Sequence, residues 1–341
     1  MSKTKQFEIL KNSKYESTIL EWRNDEITRK NSINQEIVSK EDHKKWLSNQ
    51  LSKNETILIM HFYNSLPAGL IKLDYLQNND YGISINLNPK FRGMKLSSQF
   101  IKESLHFLIE NEKKESLNVL ASIKPHNIPS IKTFMNCGFT LKDAKYQNDL
   151  QLFSINLIKT NNVLLLGYPK NENPLIDFLT SKKFNVQNTH KKLDIKSLAE
   201  YDLVISYGYR HILSEKQLSY CKQDPLNLHI SLLPWNRGAH PNFWAFYDKT
   251  PHGVSIHKID RGVDTGEILI QKEVFFDGDI TLKDSYFKLR LEIEKLFISN
   301  YKNLIYKTMK PFRVDIEGSF HLSSQLPDNI DWNKSIAENQ N

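Results

Sequence analysis

The chain has 341 residues, long enough for two domains that each bury their own core. With 39% hydrophobic and 25% charged residues it has the balance of a globular protein, and no apolar run approaches the ~20 residues that cross a bilayer. The formal net charge is +7, but the basic residues are scattered, with short clusters such as Lys182-Lys183 and Lys191-Lys192 and no aromatic-basic module, so neither nucleic acid nor a membrane is expected as a partner.

A small anionic substrate suits such a surface. The N-terminus lacks the apolar centre of a signal peptide. The two cysteines, Cys137 and Cys221, are far apart and lack metal-type spacing. A cytoplasmic location with no disulfide framework and no metal is therefore expected.

In chain order, helical patterns cover residues 15–22 and 40–51, and strand patterns cover 56–63, 68–75 and 81–87. A helix over 96–111 places Phe100, Ile101, Leu105, Leu108 and Ile109 on one face. A strand at 116–123, a helix at 128–136 and a strand at 150–157 follow. Strands that come first in pairs and then alternate with helices imply a mixed α/β domain over residues 1–160.

The polar stretch 158–162 marks the boundary. A second domain, 161–341, opens with the apolar run 163–167, which ends in glycine as the first strand of a doubly wound sheet does. A helix at 175–181 and strands at 203–206 and 226–231 complete a Rossmann-like α/β pattern.

The third of those strands begins the densest run of chemistry. Asn227 and His229 are two apart on a strand and so share a face. The run continues through Pro234, Arg237 and Gly238 to His240 and Asn242. Downstream, His257 is followed by Asp260, Gly262, Val263, Asp264, Gly266 and Ile268. Gly262 and Gly266 flank Asp264 and suggest a tight loop that backbone can bring close to a ligand.

Acyl transfer to an amine needs these side-chain types. The carboxamide donates to an oxyanion. The imidazole titrates near neutrality and can donate or shuttle a proton. The carboxylate orients the imidazole and accepts the amine proton.

The pattern N-x-H-x-S-L-L-P-x-x-R-G, then D-x-G-x-I, resembles the 10-formyltetrahydrofolate-dependent formyltransferases over residues 162–341. The resemblance implies Asn227, His229 and Asp264 as the catalytic set and 10-formyltetrahydrofolate as formyl donor. It implies a pterin held mainly by backbone of the loop with Tyr209, Arg210, His211, Ile212 and Leu213, walled by Asp260, Gly262 and Val263. The run His240 to Ala245 and the segment Gly318 to His321 resemble the sugar-directed branch. The transfer-RNA branch carries an added β-barrel domain, for which the stretch after Asp264 is short. Arg237, His240 and Asn242 are the expected substrate contacts, whereas Phe243 and Trp244 read as a helix packed on the sheet.

In the first domain, the run from Asn127 to Phe139 matches N-x-x-[SA]-x(3)-[YF]-x(3)-G-F and resembles the GNAT acetyltransferase fold. Glu21 to Asn24 and the pair His43 and Trp46 resemble its amino-sugar branch. That family holds a pyrophosphate on [RQ]-x-x-G-x-[GA]; here Lys95 and Ser97 replace the two small residues after Arg92, and Phe134 replaces the usual tyrosine acid. These departures argue against acetyl-CoA as a cofactor.

A GNAT-like domain ahead of a formyltransferase domain resembles the formyltransferases of pseudaminic acid pathways. That resemblance implies a nucleotide-sugar partner whose 4-amino group is formylated, of the UDP-4-amino-4,6-dideoxy-N-acetylaltrosamine type. An acetyl-CoA-dependent or bifunctional amino-sugar acetyltransferase and a non-catalytic nucleotide-sugar binder stand as alternatives. Self-association into a homo-oligomer is left open.

Overall fold

In the computed structural model, which describes residues 6–276 and 279–340, the chain forms two units. One contains the chain up to Lys159 together with Tyr306–Lys310, and the other contains Thr160–Ile305 and the chain from Pro311 onward.

The first unit opens with β1 (Phe7–Ile9), α1 (Glu16–Asn24), α2 (Glu26–Asn31) and α3 (Lys40–Ser52). It continues with β2 (Thr56–Tyr63), β3 (Leu66–Tyr75), β4 (Asp80–Leu87), α4 (Leu96–Asn111) and β5 (Ser116–Ile123), and ends with α5 (Ile128–Asn136), β6 (Thr140–Tyr146) and β7 (Leu150–Ile158). Among the described residues, seven strands form one sheet in the order β1-β2-β3-β4-β5-β7-β6. Every pairing is antiparallel except β4 with β5, which meet only where Asp80–Gly82 faces Asn118–Leu120.

The apolar face of α4 is buried as its spacing demands, with Phe100, Ile101, Leu105, Leu108 and Ile109 all nearly inaccessible. A second cluster joins Ile19 and Trp22 of α1 and Leu47 of α3 to Leu58 and Met60 of β2. Three elements go beyond the sequence expectation. β1 is too short to show a pattern, α2 buries none of its side chains, and β6 is an exposed edge strand without apolar alternation.

The returning segment, 306–310, belongs to this unit. Thr308 Oγ1 lies 2.9 Å from His106 Nε2, and the Tyr306 hydroxyl donates to Glu110 Oε1 at 3.4 Å. At Gly138 (φ +91°) an added Cβ would come within 2.4 Å of the Lys307 carbonyl oxygen, so only glycine fits there.

The second unit begins with β8 (Asn162–Gly167), α6 (Pro174–Ser181), β9 (Asn185–Thr189), β10 (Leu203–Tyr207), α7 (Glu215–Leu218) and β11 (Leu226–His229). Then come β12 (Arg237–Gly238), α8 (Pro241–Tyr247), β13 (Gly253–Lys258), β14 (Ile268–Glu273), α9 (Leu282–Ile305), β15 (Phe320–His321) and α10 (Ile336–Gln340). Its main sheet runs β14-β13-β11-β10-β8-β9. The four strands β9, β8, β10 and β11 are parallel, and β13 and β14 are added antiparallel.

β8 and β10 are buried along nearly their whole length and mostly apolar, because both faces of the sheet are covered. From β8 the chain crosses to β9 on one side and then to β10 on the other. The crevice at the carboxyl ends of β8 and β10 is thus the switch point at which ligands bind in such sheets. The third strand stops at His229 rather than Ser231. Beyond it Leu233 N donates to Ser255 Oγ, which itself donates to the Ser231 carbonyl, and this turns the chain out of the ladder.

Candidate active site

β11 aims Asn227 and His229 to one side, and its antiparallel neighbour β13 sets His257 directly opposite Asn227 in register. The loop after β13 brings Asp264 into the same space. Asn227 Nδ2 donates to Asp264 Oδ1 at 3.0 Å, and His229 Nε2 lies 3.7 Å from Asp264 Oδ2. The three residues expected at the reacting centre therefore stand together.

His257 completes the cluster and was not among the expected site residues. Its Nδ1 lies 2.8 Å from the Lys258 carbonyl, which can only accept, so Nδ1 carries the hydrogen. Nε2 is left as an acceptor for Asn227 Nδ2 at 3.2 Å. It also lies 3.5 Å from Asp264 Oδ1. The two carboxamide hydrogens of Asn227 thus face a carboxylate and an imidazole, which fixes which end of the amide points inward. Strand alternation in Gly253–Lys258 could have revealed His257, since a period of two beside β11 aligns it with Asn227.

The electrostatics follow from burial. His229 is 8% exposed, and burial pushes its imidazole below the ordinary value despite the pull of Asp264, so it is neutral near pH 7. Its Nε2 faces the Asn236 carbonyl at 3.3 Å and so carries the hydrogen. Burial also works against the Asp264 carboxylate, but the facing His229 and the Gly238 N–H at 2.9 Å outweigh it and hold the group well below the usual range. The centre therefore combines an ionised carboxylate with N–H donors from a carboxamide and a neutral imidazole.

The loop around Asp264 owes its shape to the chain itself. Asp264 is in the left-handed region (φ +53°). Asp260 Oδ1 accepts from Gly262 N at 3.1 Å and from Thr265 Oγ1 at 2.5 Å, so this side chain staples the loop. At Gly266 an added Cβ would lie 1.8 Å from the Lys258 carbonyl oxygen. The expectation that the flanking glycines open the loop to a ligand is corrected at this position, where glycine makes room for β13. Val263 is half-buried beside Asp264.

After β10, the Tyr209 hydroxyl donates to the Lys191 carbonyl at 3.0 Å, and Leu213 is buried in a cluster with Leu164, Leu166 and Val204. Arg210, His211 and Ile212 are exposed, Ile212 by 74%. Among the described residues, the main-chain groups of Arg210–Ile212 make no hydrogen bond, so this stretch offers open N–H and C=O groups at the switch point.

The expected substrate contacts differ in their freedom. Arg237 is on β12, where its Nε donates to the Ser319 carbonyl at 3.4 Å. His240 is left-handed (φ +52°) at the start of α8, with its ring stacked on Trp332. Burial, and then the charge of Arg210, lower the pKa of His240. Asn242 is buried, and its Nδ2 ties α8 to α9 through the Leu282 carbonyl at 2.8 Å and Ser285 Oγ at 3.0 Å. Phe243 and Trp244 are buried, and Trp244 stacks on His321 at 4.0 Å.

Residues 140–300 match the family model described as formyl transferase, a span that contains the whole cluster. The chain carries a formyl transferase domain.

The methionyl-tRNA formyltransferase of Thermodesulfovibrio yellowstonii is 36% identical over 163 residues, 46% of this chain and 51% of that protein. The bifunctional polymyxin resistance protein ArnA of Wigglesworthia glossinidia brevipalpis is 33% identical over 154 residues, 43% of this chain and 23% of its own length. The chain spans about half or less of the length of these curated relatives. Among solved structures, the formyltransferase PseJ from Anoxybacillus kamchatkensis, in complex with UDP-4,6-dideoxy-4-formamido-L-AltNAc and tetrahydrofolate, is 38% identical. That match covers 52% of this chain and 97% of PseJ, with a TM-score of 0.48. The family match begins at the start of β6 in the first unit and runs on through the second unit into α9.

Proposed function

We propose that this protein transfers a formyl group from 10-formyltetrahydrofolate to the amine of a nucleotide-linked amino sugar. The observation that carries this reading is the convergence of Asn227, His229 and Asp264 at one buried point beside an open main-chain ledge. The stretch Arg210–Ile212 suits a flat heteroaromatic group, with an exposed Ile212 and N–H and C=O groups that no main-chain partner uses. The bound donor would supply an electrophilic formyl carbon.

The protein's own groups divide the remaining work. The Asn227 carboxamide and the His229 Nε2–H, which without substrate face Asp264, His257 and the Asn236 carbonyl, would turn to the carbonyl oxygen that gains negative charge, and their burial would strengthen that interaction. The Asp264 carboxylate accepts the proton that the substrate nitrogen loses on acylation. His257 is a positioning residue that keeps the Asn227 amide turned inward.

The acceptor we favour is the 4-amino group of a UDP-4-amino-4,6-dideoxy-N-acetylaltrosamine-type sugar. The run from His240 to Ala245 supports it, and the ligand named for PseJ is of the same type. We read the first unit as a GNAT-like module that does not transfer acetyl. Three features support this. Arg92 is engaged with Asp25 and with Thr28 Oγ1, Lys95 occupies a left-handed position (φ +60°) at the start of α4, and Phe134 is buried against Phe139.

The test is incubation with 10-formyltetrahydrofolate and a panel of UDP- and dTDP-linked amino sugars, following mass gain. The expected product is one formyl group heavier and forms fastest on a UDP-4-amino sugar. Absence of formyl gain on every nucleotide sugar, or acetyl gain from acetyl-CoA, overturns the reading.

A further inference from the structure

The segment from Gly318 to His321 lies along the loop that follows β11. β15 (Phe320–His321) pairs with β12 (Arg237–Gly238), and the two form a sheet of their own. The fit is close. A Cβ on Gly318 would come within 1.9 Å of the Pro234 carbonyl oxygen, and one on Gly238 within 2.3 Å of the His321 carbonyl oxygen.

That loop presents two main-chain groups to the reacting centre. The Asn236 carbonyl accepts from His229 Nε2 at 3.3 Å, and the Gly238 N–H donates to Asp264 Oδ2 at 2.9 Å. The two side chains have opposite tasks, one as donor and one as proton acceptor, yet His229 Nε2 is only 3.7 Å from the same Oδ2. A buried carboxylate attracts an imidazole N–H strongly at that separation. A direct bond between them would spend the donor and the base on each other. The loop prevents this by giving each of them a neutral main-chain partner. The 3.3 Å bond is long for N–H···O, so it holds the ring without competing strongly with a substrate oxygen.

The Asn236 carbonyl is in turn held by a side-chain clamp. Asn236 is fully buried and left-handed (φ +54°), a conformation that a non-glycine residue keeps only where its surroundings fix it. Ser319 Oγ holds it from one side, accepting from Asn236 N at 2.8 Å and donating to Asn236 Oδ1 at 3.0 Å. Thr250 Oγ1 holds it from the other, accepting from Asn236 Nδ2 at 2.7 Å. The polar groups of the Asn236 side chain are thus spent on the clamp, and its carbonyl is left for His229.

We propose that Asn236, Ser319 and Thr250 are positioning residues that keep His229 and Asp264 apart, so that the donor and the proton acceptor both remain available to the substrate. The inference rests on the formyl-transfer reading and adds to it the device that keeps the centre ready. Ser319 and Thr250 act only through Asn236, and Asn236 acts through its main chain.

The test compares Ser319→Ala, Thr250→Val and Ser319→Thr in the full chain. The first two each remove one tie on Asn236 and leave the main-chain pairing of β12 with β15 in place. In both, kcat for formyl transfer is expected to fall about tenfold, with KM for donor and amine unchanged within about twofold, since a displacement of the donor by less than about 1 Å suffices for such a loss. A second readout needs no turnover. The groups that face His229 are Asp264 and, from β13, His257, so a ring released from Asn236 turns towards the carboxylate. Its pKa, lowered by burial in the wild type, then moves upward, which nitrogen NMR of histidine-labelled protein follows directly. Ser319→Thr keeps the hydroxyl and is expected to recover most of the rate and the wild-type titration.

Wild-type kcat and an unchanged His229 titration in both Ser319→Ala and Thr250→Val overturn the assignment. So does a loss that falls on KM, or one that Ser319→Thr shares in full. Absence of formyl transfer by the wild type removes the transfer reading alone, and the titration of His229 then decides the positioning role.

Discussion

Asp264 concentrates the cost and the use of this site in one residue. It is a non-glycine residue in the left-handed region, a conformation disfavoured by about 1 kcal/mol. It is also a buried carboxylate held ionised by its neighbours. Asp264→Asn keeps the shape and the loop but removes the proton acceptor and the charge facing His229. We expect kcat to fall by about 10²-fold or more with little change in KM for the amine, measured by steady-state formyl transfer. Near-normal turnover would remove Asp264 from the chemistry.

Asn227 and His229 were legible in the sequence because a strand alternates and the two residues are two apart. For His257 strand alternation gives only the face, and its partnership with Asn227 arises from antiparallel pairing with a strand 30 residues away in sequence. The free Oδ1 of Asn242 was equally hidden, since only the seating of α8 on α9 shows which end of the amide is spent.

At the scale of elements, the apolar strands β8 and β10 and the amphipathic α4 could be read directly, while β6, β13, β14 and α9 were not assigned. β6 is an exposed edge, and the charges dispersed along α9 mask a buried stripe of Leu289, Ile293, Phe297 and Leu304. The junction of α8 with β13 also contains a titratable device. His252 packs on Phe246 at 4.2 Å and on Phe276 at 5.1 Å, and its Nε2 is buried without a partner.

Burial lowers the pKa of His252 from the ordinary 6.5 to about 4. Above pH 6.5 neither the folded nor the unfolded chain protonates this ring. As pH falls from 6.5 towards 4 the unfolded chain binds a proton that the folded chain refuses, so stability is lost across that window. His252→Phe should abolish this component. Relative to the variant, the wild type is expected to lose about 2 kcal/mol between pH 7 and pH 4, after allowance for the ring's partial exposure. Thermal melts at both pH values check this, and parallel losses in the two proteins would exclude His252 as the source.

The whole molecule is organised by a chain that leaves the first unit at Lys159 and returns to it at Tyr306–Lys310 before finishing in the second. The sequence indicated a single boundary near 160, because the polar stretch there is a local signal. The return has no such signal, as Tyr306 and Thr308 are recognisable as core residues only once they are seated near His106 and Glu110.

A cut at 159/160 therefore does not separate two self-sufficient parts. A fragment of residues 1–159 would lack Tyr306, which is 7% accessible in the intact chain, and the Thr308 hydroxyl that lies 2.9 Å from His106 Nε2. Burial of one large aromatic side chain contributes about 1.5–3 kcal/mol. That amount corresponds to a drop of roughly 5–10 °C in the melting temperature of a unit this size. We expect fragments 1–159 and 160–341 to co-purify when produced together, and 1–159 alone to melt lower by that margin than the first unit of the intact chain. Gel filtration and thermal denaturation decide it, and a lone 1–159 fragment as stable as the first unit of the intact chain would show that 306–310 contributes nothing to it.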